Sequence, residues 1–104
     1  MHRIAFKMKL FKGCEEEYKR RHNQLWPDLK LLLQQASVKD YSIFLDEESS
    51  TLFGYLTTTN IYKFNQLKQD PIMQKWWTFM KDIMETNDDN SPVTINFKEV
   101  FYLP

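Results

Sequence analysis

Cysteine, glycine and net charge are scarce in this 104-residue sequence, which has one cysteine, two glycines and a formal net charge of zero. The lone cysteine, Cys14, cannot form a disulfide within the chain, which favours a reducing, cytoplasmic location. Because 14 basic side chains balance 14 acidic ones, the charge gives no reason to expect nucleic acid or an anionic membrane as a partner. No apolar run approaches the roughly 20 residues of a membrane-spanning helix, and the charged first residues lack the pattern of a signal peptide.

The same scarcity excludes several kinds of chemistry. Two glycines do not make a glycine-rich phosphate loop, so nucleotide-dependent transfer is not expected. A structural zinc site needs four nitrogen or sulfur ligands, and the chain offers only Cys14, His2 and His22 at scattered positions. No histidine is spaced from Cys14 in a way that suggests an activated nucleophile. We therefore expect no metal and no organic cofactor.

Aromatic side chains, in contrast, are abundant and make up 15% of the residues. With 42% hydrophobic residues, they are enough for the core of a single domain, which we expect to span residues 1–104. Aromatic rings also line cavities that bind ligands with a flat apolar face, but composition alone favours the dense core.

Hydrophobic periodicity predicts the order of the secondary-structure elements. Residues 3–10 alternate between apolar and polar side chains, as in a half-buried strand. In residues 15–36, apolar side chains recur every three or four positions, which predicts a long helix that Pro27 kinks or breaks near residues 23–26. Residues 38–46 and 51–59 are rich in β-branched and aromatic side chains and predict a hairpin.

The second half of the chain completes the pattern. A short helical segment is expected at residues 60–67, and a second main helix at Asp70-Pro71 with an apolar stripe reaching Met84. A last strand is expected over residues 93–103. The order β-α-β-β-α-β predicts an α+β protein with a ferredoxin-like sandwich, in which both helices cover one face of a four-stranded antiparallel sheet.

The uncovered face of that sheet is expected to be apolar. If Ile4, Ile43 and Leu52 point toward the helices, the opposite face is too apolar to be fully exposed to water in a stable monomer. The sequence therefore predicts a homodimer in which two chains cover each other's sheets, with the last strand in the contact. The residues expected on this outer face are Ala5, Phe44, Phe53 and Tyr55.

Tyr18 and His22 are the first candidates for chemistry. They are one helical turn apart on the stripe that faces the sheet, so two polar groups point inward. An isolated histidine at such a position is often only a core residue bonded to a backbone carbonyl. A functional role gains support if Tyr41 and either Trp76 or Trp77 line the same cavity, because an indole packs well against the apolar face of a sugar.

Two further interpretations concern the residues around this pair. Trp76 and Trp77 differ by about 100° around their helix, so we expect one in the core and the other in a cavity wall or subunit contact. The candidates for hydrogen bonds to sugar hydroxyls are Asn23, Gln24, Tyr18 and the residues from Arg20 to His22. The run Lys19-Arg20-Arg21 is interpreted as a solvated helix face and not as a phosphate clamp.

Five blocks of residues also occur together in an order and spacing typical of one known family. They are residues 17–23 (EYKRRHN) with Trp26-Pro27, residues 41–46 (YSIFLD), Trp76-Trp77 with Met80, Asp82 and Met84, residues 87–92 (NDDNSP), and residues 99–104 (EVFYLP). Through these blocks the whole chain resembles the L-rhamnose mutarotase family. One departure is Asp88, at a position where members of the family carry proline, and it leaves the candidate site untouched.

This resemblance implies a dimeric α/β-barrel protein that interconverts the α and β anomers of L-rhamnose without a cofactor. It also implies that His22 is the proton donor and that Tyr18, Tyr41, Trp76 and Trp77 contact the sugar. The residue types suit that reaction, since opening a cyclic hemiacetal removes one proton from the anomeric hydroxyl and adds one to the ring oxygen. Histidine, with an ordinary pKa near 6.5, has both protonation states accessible at neutral pH.

The residues alone leave two other functions open. A cofactor-free oxygenase-like enzyme on the same dimeric scaffold would also use an aromatic pocket and one histidine, but its pocket would lack hydrogen-bond partners for a polyol. A non-catalytic ligand-binding module would have His22 and Tyr18 bonded within the protein and no cavity beside Trp76.

Overall fold

A computed structural model describes all 104 residues and contains the predicted order of elements. The strands form one antiparallel sheet in the order β2-β3-β1-β4, which confirms the ferredoxin-like α+β arrangement. Within one chain this sheet is open and is not a closed barrel. The elements are β1 (His2–Lys9), α1 (Glu15–Asn23), α2 (Pro27–Gln35), β2 (Val38–Asp46), β3 (Thr51–Thr58), α3 (Ile61–Gln66), a 3₁₀ turn (Leu67–Gln69), α4 (Pro71–Met80) and β4 (Ile95–Asn96).

Pro27 divides the predicted long helix into two. It occupies the first position of α2, where its missing amide costs no helical hydrogen bond. The preceding residue, Trp26, is extended with φ −59° and ψ 131°, as expected for a residue before proline. Helix α1 therefore ends at Asn23, and His22 lies in its last turn.

Helix α4 is shorter than its apolar stripe predicts. Its start is as expected, because the Asp70 side chain accepts a hydrogen bond from the Ile72 amide and Pro71 follows as the first helical residue. The helix ends at Met80, whereas Ile83 and Met84 are buried outside it. They are buried because the chain after α4 runs beside the end of β1, where Met84 pairs with Leu10.

The last strand is also much shorter than the predicted residues 93–103. Only Ile95–Asn96 form strand β4, paired with Phe6 and Lys7 of β1. Beyond it, the Phe97 amide still donates to the Ala5 carbonyl at 2.9 Å. After that residue side chains make the contacts with β1, since Arg3 bonds to Glu99 at 2.7 Å and its guanidinium lies 3.6 Å from the centre of the Tyr102 ring.

The two faces of the sheet differ as predicted. The strand residues that face the helices are mostly buried, among them Phe6, Met8 and Leu56. The outer face carries exposed aromatic rings, with Phe44 65% exposed and Phe53 stacked on Phe97 at 6.2 Å between ring centroids. Tyr55 and Ala5 face each other across β3 and β1 on this same side.

None of the helices is long and apolar enough to cross a membrane.

Candidate active site

Helix α1 brings Tyr18 and His22 together. The residues are one turn apart, and their rings stack with centroids 4.2 Å apart and planes inclined by 29°. Tyr18 is buried and His22 is half-buried. The predicted inward orientation of this pair is therefore present in the structure.

The backbone fixes which nitrogen of His22 carries a proton. Nδ1 lies 2.9 Å from the carbonyl oxygen of Tyr18, and a carbonyl only accepts hydrogen bonds, so Nδ1 is the protonated nitrogen. Burial lowers the pKa of His22 below its ordinary value of 6.5, and the bond to the carbonyl opposes this effect. At neutral pH the ring is consequently neutral, and Nε2 has a free lone pair.

Trp76 on α4 also packs against the ring of His22. The two rings meet edge to face at 5.4 Å and 89°, and Trp26 meets Trp76 in the same way at 5.0 Å. The expectation that only one of the adjacent tryptophans would line the cavity is wrong. Buried Trp76 and half-buried Trp77 both line it, because with Met73 and Met80 they form one stripe of α4 at steps of three and four residues.

Tyr41 reaches the same place because strand β2 contains an irregularity. The register with β3 shifts between Lys39 and Ser42, and Asp40 has a φ of 52°. The Tyr41 ring then meets the Phe6 ring edge to face at 6.3 Å on the helix side of the sheet. Phe6 in turn fits over Gly54, in the space that a Cβ would occupy at that position.

The hydroxyls of Tyr18 and Tyr41 are both held in the neutral form. Although Tyr41 is 41% exposed as a whole, burial of its ring among the cavity walls raises the pKa of its hydroxyl to about 12. Burial, with a smaller contribution from Tyr41, raises the pKa of Tyr18 above its ordinary value of 10. Neither hydroxyl is used in a hydrogen bond within the chain, so both can donate to a ligand.

One cavity of about 710 Å³ joins these groups. Its walls are mostly hydrophobic, and its volume is within the range of small-molecule sites. The polar residues that line it include Glu15, Glu16, Lys19, Asn23 and Glu47. All five candidate site residues line it as well: His22, Tyr18, Tyr41, Trp76 and Trp77.

Three of the six candidates for sugar hydrogen bonds line the cavity, namely Tyr18, His22 and Asn23. Arg20, Arg21 and Gln24 do not, and Arg20 donates to the Gln24 side chain at 3.1 Å on the exposed side of α1. The interpretation of residues 19–21 as a solvated face holds for Arg20 and is wrong for Arg21, which is 9% exposed. The only signal in the sequence was the position of Arg21, one turn after Glu17 and next to the inward His22.

The site combines one neutral imidazole, two phenolic hydroxyls and two indole rings. No three histidine, cysteine, aspartate or glutamate side chains are grouped so that they could hold a metal ion. The imidazole can accept and donate a proton, the hydroxyls can bond to oxygens, and the indoles can pack against an apolar surface. The arrangement is suited to acid–base chemistry on a small polar molecule with one apolar face.

Comparison with known proteins finds close relatives of this chain. A family model described as L-rhamnose mutarotase matches residues 3–103. The L-rhamnose mutarotase of Brucella anthropi is 53% identical over 102 residues, covering 98% of this chain and 96% of the relative. That of Agrobacterium fabrum is 54% identical over 100 residues, covering 96% and 94%. The crystal structure of the L-rhamnose mutarotase of Formosa agariphila superposes with a TM-score of 0.94 at 51% identity, covering both chains completely.

Proposed function

The chain belongs to the L-rhamnose mutarotase family, and we propose that it interconverts the α and β anomers of L-rhamnose at the cavity beside His22. It is an isomerase whose substrate is one small sugar. The observation that carries this proposal is the free Nε2 of a neutral imidazole, fixed between Tyr18 and Trp76 at the cavity wall.

The sugar is proposed to lie against the indole wall. Trp76 and Trp77 offer flat apolar surfaces to the C–H-bearing side of a pyranose, while the hydroxyls of Tyr18 and Tyr41 donate to its oxygens. Asn23 adds an amide that can both donate and accept. These contacts orient the anomeric carbon toward His22.

His22 is proposed to move the single proton that the reaction requires. Neutral Nε2 takes the proton of the anomeric hydroxyl, and a carbon–oxygen double bond forms at the anomeric carbon. The bond from that carbon to the ring oxygen breaks with its electron pair on the ring oxygen, which receives the proton from His22. The products are the open-chain aldehyde and neutral His22, so no proton is gained or lost.

Ring closure repeats these steps in reverse on the other face of the aldehyde. Rotation about the bond between the first two carbons presents that face to the hydroxyl that attacks it. His22 then takes the hydroxyl proton and returns it to the new anomeric oxygen. His22 therefore donates to the departing ring oxygen in opening and to the carbonyl oxygen in closure, in each case the proton that it has just accepted.

The site favours this function over the two alternatives. An oxygenase-like pocket would lack partners for a polyol, whereas two unpaired phenol hydroxyls and Asn23 line this one. A binding module would leave no cavity beside Trp76 and no free nitrogen on His22. The cavity and the free Nε2 both support catalysis.

The proposal also covers the extent of the domain, the assembly of two copies and the location of the protein. We propose that residues 1–104 act as one domain and that two copies assemble through the outer face of the sheet, whose exposed aromatic rings support this assembly. The single cysteine supports a location in the reducing cytoplasm. The proton steps above require no metal and no organic cofactor.

Saturation-transfer NMR on L-rhamnose tests the function directly. Saturating the anomeric proton of one anomer is expected to reduce the signal of the other at a rate that rises with protein concentration. Dialysis against a chelator is expected to leave that rate unchanged. Transfer no faster than in buffer would contradict the function, and loss of activity restored by one divalent metal would contradict the cofactor-free mechanism.

A further inference from the structure

Arg21 is buried in a helix whose neighbouring basic residues are exposed. Its side chain is 9% exposed, whereas Lys19 and Arg20, the two residues before it, are exposed. It bonds within α1 to the Glu17 carboxylate at 2.7 Å. A buried guanidinium is costly unless its donors are satisfied, so its other contacts must account for its position.

Those other contacts join the end of α1 to the end of α4. Arg21 donates two hydrogen bonds to the Asp82 carboxylate, at 2.9 and 3.1 Å, and one to the Phe79 carbonyl at 2.7 Å. The carbonyl belongs to the last turn of α4, where a cation is favoured by the helix dipole. The forked geometry of arginine makes all three bonds at once, which the single ammonium of lysine does not reproduce.

We call the contacts of Arg21 with Glu17, Asp82 and the Phe79 carbonyl the Arg21 clamp. The clamp is linked to the active site through a series of packed aromatic rings. The Arg21 guanidinium lies 4.3 Å from the centre of the Phe79 ring, and Phe79 packs on Trp76 at 5.6 Å. Trp76 meets His22 at 5.4 Å, and His22 directly follows Arg21 in the chain. Arg21 therefore acts on both members of the His22–Trp76 pair, through the backbone on one side and through Phe79 on the other.

We propose that Arg21 is a positioning residue, which with Asp82 holds α1 against α4 and so fixes the His22 ring at Trp76. This role rests on the proposed function. Arg21 itself does not touch the sugar, since it is not among the residues that line the cavity. Its effect is on the rate, because acid–base catalysis depends on placing the proton-transfer atom within hydrogen-bond reach.

The carboxylates and the guanidinium of the clamp remain charged at neutral pH. Arg20, with a further contribution from Arg21, lowers the pKa of Glu17 to about 2, and Arg21 lowers the pKa of Asp82 below its ordinary value. Its influence is therefore constant across the neutral range and can be removed only by mutation.

Asp82→Asn and Arg21→Lys test this role, with Arg20→Lys as the matched control. Asp82 is a suitable target because its side chain is 64% exposed, so the change is compatible with folding. Both test variants are expected to lose roughly tenfold or more in kcat for anomer exchange, with a smaller change in KM. Arg20→Lys, which alters only exposed contacts with Glu17 and Gln24, is expected to keep the wild-type rate.

The NMR chemical shift of the His22 Hε1 proton, on the carbon between the two ring nitrogens, gives a readout that does not depend on activity. Because this proton lies near the Trp76 and Tyr18 rings, we expect its shift to move in Asp82→Asn and not in Arg20→Lys. A folded Asp82→Asn with the wild-type shift and kcat would overturn the positioning role. If wild-type protein fails to exchange the anomers while the shift still moves in Asp82→Asn, the proposed function is contradicted and the positioning of His22 is upheld.

Discussion

Tyr18 holds His22 in two separate ways. Its carbonyl accepts the Nδ1 proton at 2.9 Å, and its ring stacks on the imidazole at 4.2 Å between centroids. Neither contact uses the Tyr18 hydroxyl, which is free to bond to a ligand. The orientation of His22 and the hydrogen bond proposed from Tyr18 to the sugar can therefore be altered independently by mutation.

Replacing His22 by alanine is expected to abolish most of the catalysis without abolishing binding. His22→Ala removes the only group proposed to carry the proton, and loss of one such group costs about 10² or more in rate. The variant should fold, because the residue is only half-buried, and should still bind L-rhamnose in a titration. His2→Ala, at the exposed start of β1, is the control. Wild-type exchange by a folded His22→Ala would show that His22 is merely a core residue.

The tyrosine hydroxyls are expected to matter less than the histidine. Tyr18→Phe and Tyr41→Phe each remove one of the hydrogen bonds proposed to hold the sugar, worth about 1 kcal/mol, or a factor of several in kcat/KM. Saturation-transfer measurements over a range of sugar concentrations give this ratio. Tyr62→Phe, on an exposed ring of α3, should change nothing. A loss in Tyr18→Phe as large as that in His22→Ala would assign the proton transfer to Tyr18.

Local sequence patterns were sufficient to predict most of the fold. The hairpin strand β2 was predicted with its observed bounds, and the break before Pro27 follows from the lost amide alone. The ends of α4 and β4 were not predicted, because tertiary contacts set them. The chain leaves α4 to pair Met84 with Leu10, and the last residues are held to β1 by the Arg3 side chain.

The candidate site was predicted partly from helical spacing and partly from the family resemblance. Spacing placed Tyr18 and His22 on one face and made Tyr41, Trp76 and Trp77 possible members of the same cavity, and the resemblance then implied that these residues contact the sugar. The burial of Arg21 was not predicted, because nothing in the local sequence distinguishes it from the adjacent Arg20. Which of them is buried depends on Asp82, 61 residues further along the chain, and no local pattern contains that information.

The rate of anomer exchange is expected to fall as the pH is lowered. Protonated Nε2 cannot accept the anomeric proton, and burial places the pKa of His22 below its ordinary value of 6.5. Activity should thus be complete above pH 6.5 and be lost as the pH falls through the lower pKa of the folded protein. The measurement is kcat/KM against pH, after subtracting the spontaneous rate in each buffer. A rate that rises on acidification would mean that His22 enters the reaction protonated.

Gly54 is expected to be required for the position of Tyr41. A Cβ in Gly54→Ala would collide with the Phe6 ring, and overpacking of this kind typically costs about 1–3 kcal/mol of unfolding free energy. Displacement of Phe6 also moves Tyr41, so sugar affinity should fall in the folded variant. Gly13→Ala is the control, because its Cβ meets nothing within 4 Å and only its φ of 88° is strained. Unchanged sugar affinity in Gly54→Ala would show that the position of Tyr41 does not depend on the packing of Phe6.

The exposed rings on the outer face of the sheet are expected to hold two chains together. Sedimentation at low micromolar concentration should give twice the chain mass of 12.7 kDa. Phe44, which is 65% exposed on β2, is the most direct target, since a lysine there places an unpaired charge in the contact. Phe44→Lys should sediment as a monomer, whereas Tyr62→Lys, at a 71% exposed ring on α3, should remain dimeric. A wild-type monomer at that concentration would mean that these rings face water, and the exposed aromatic face would no longer support a dimer.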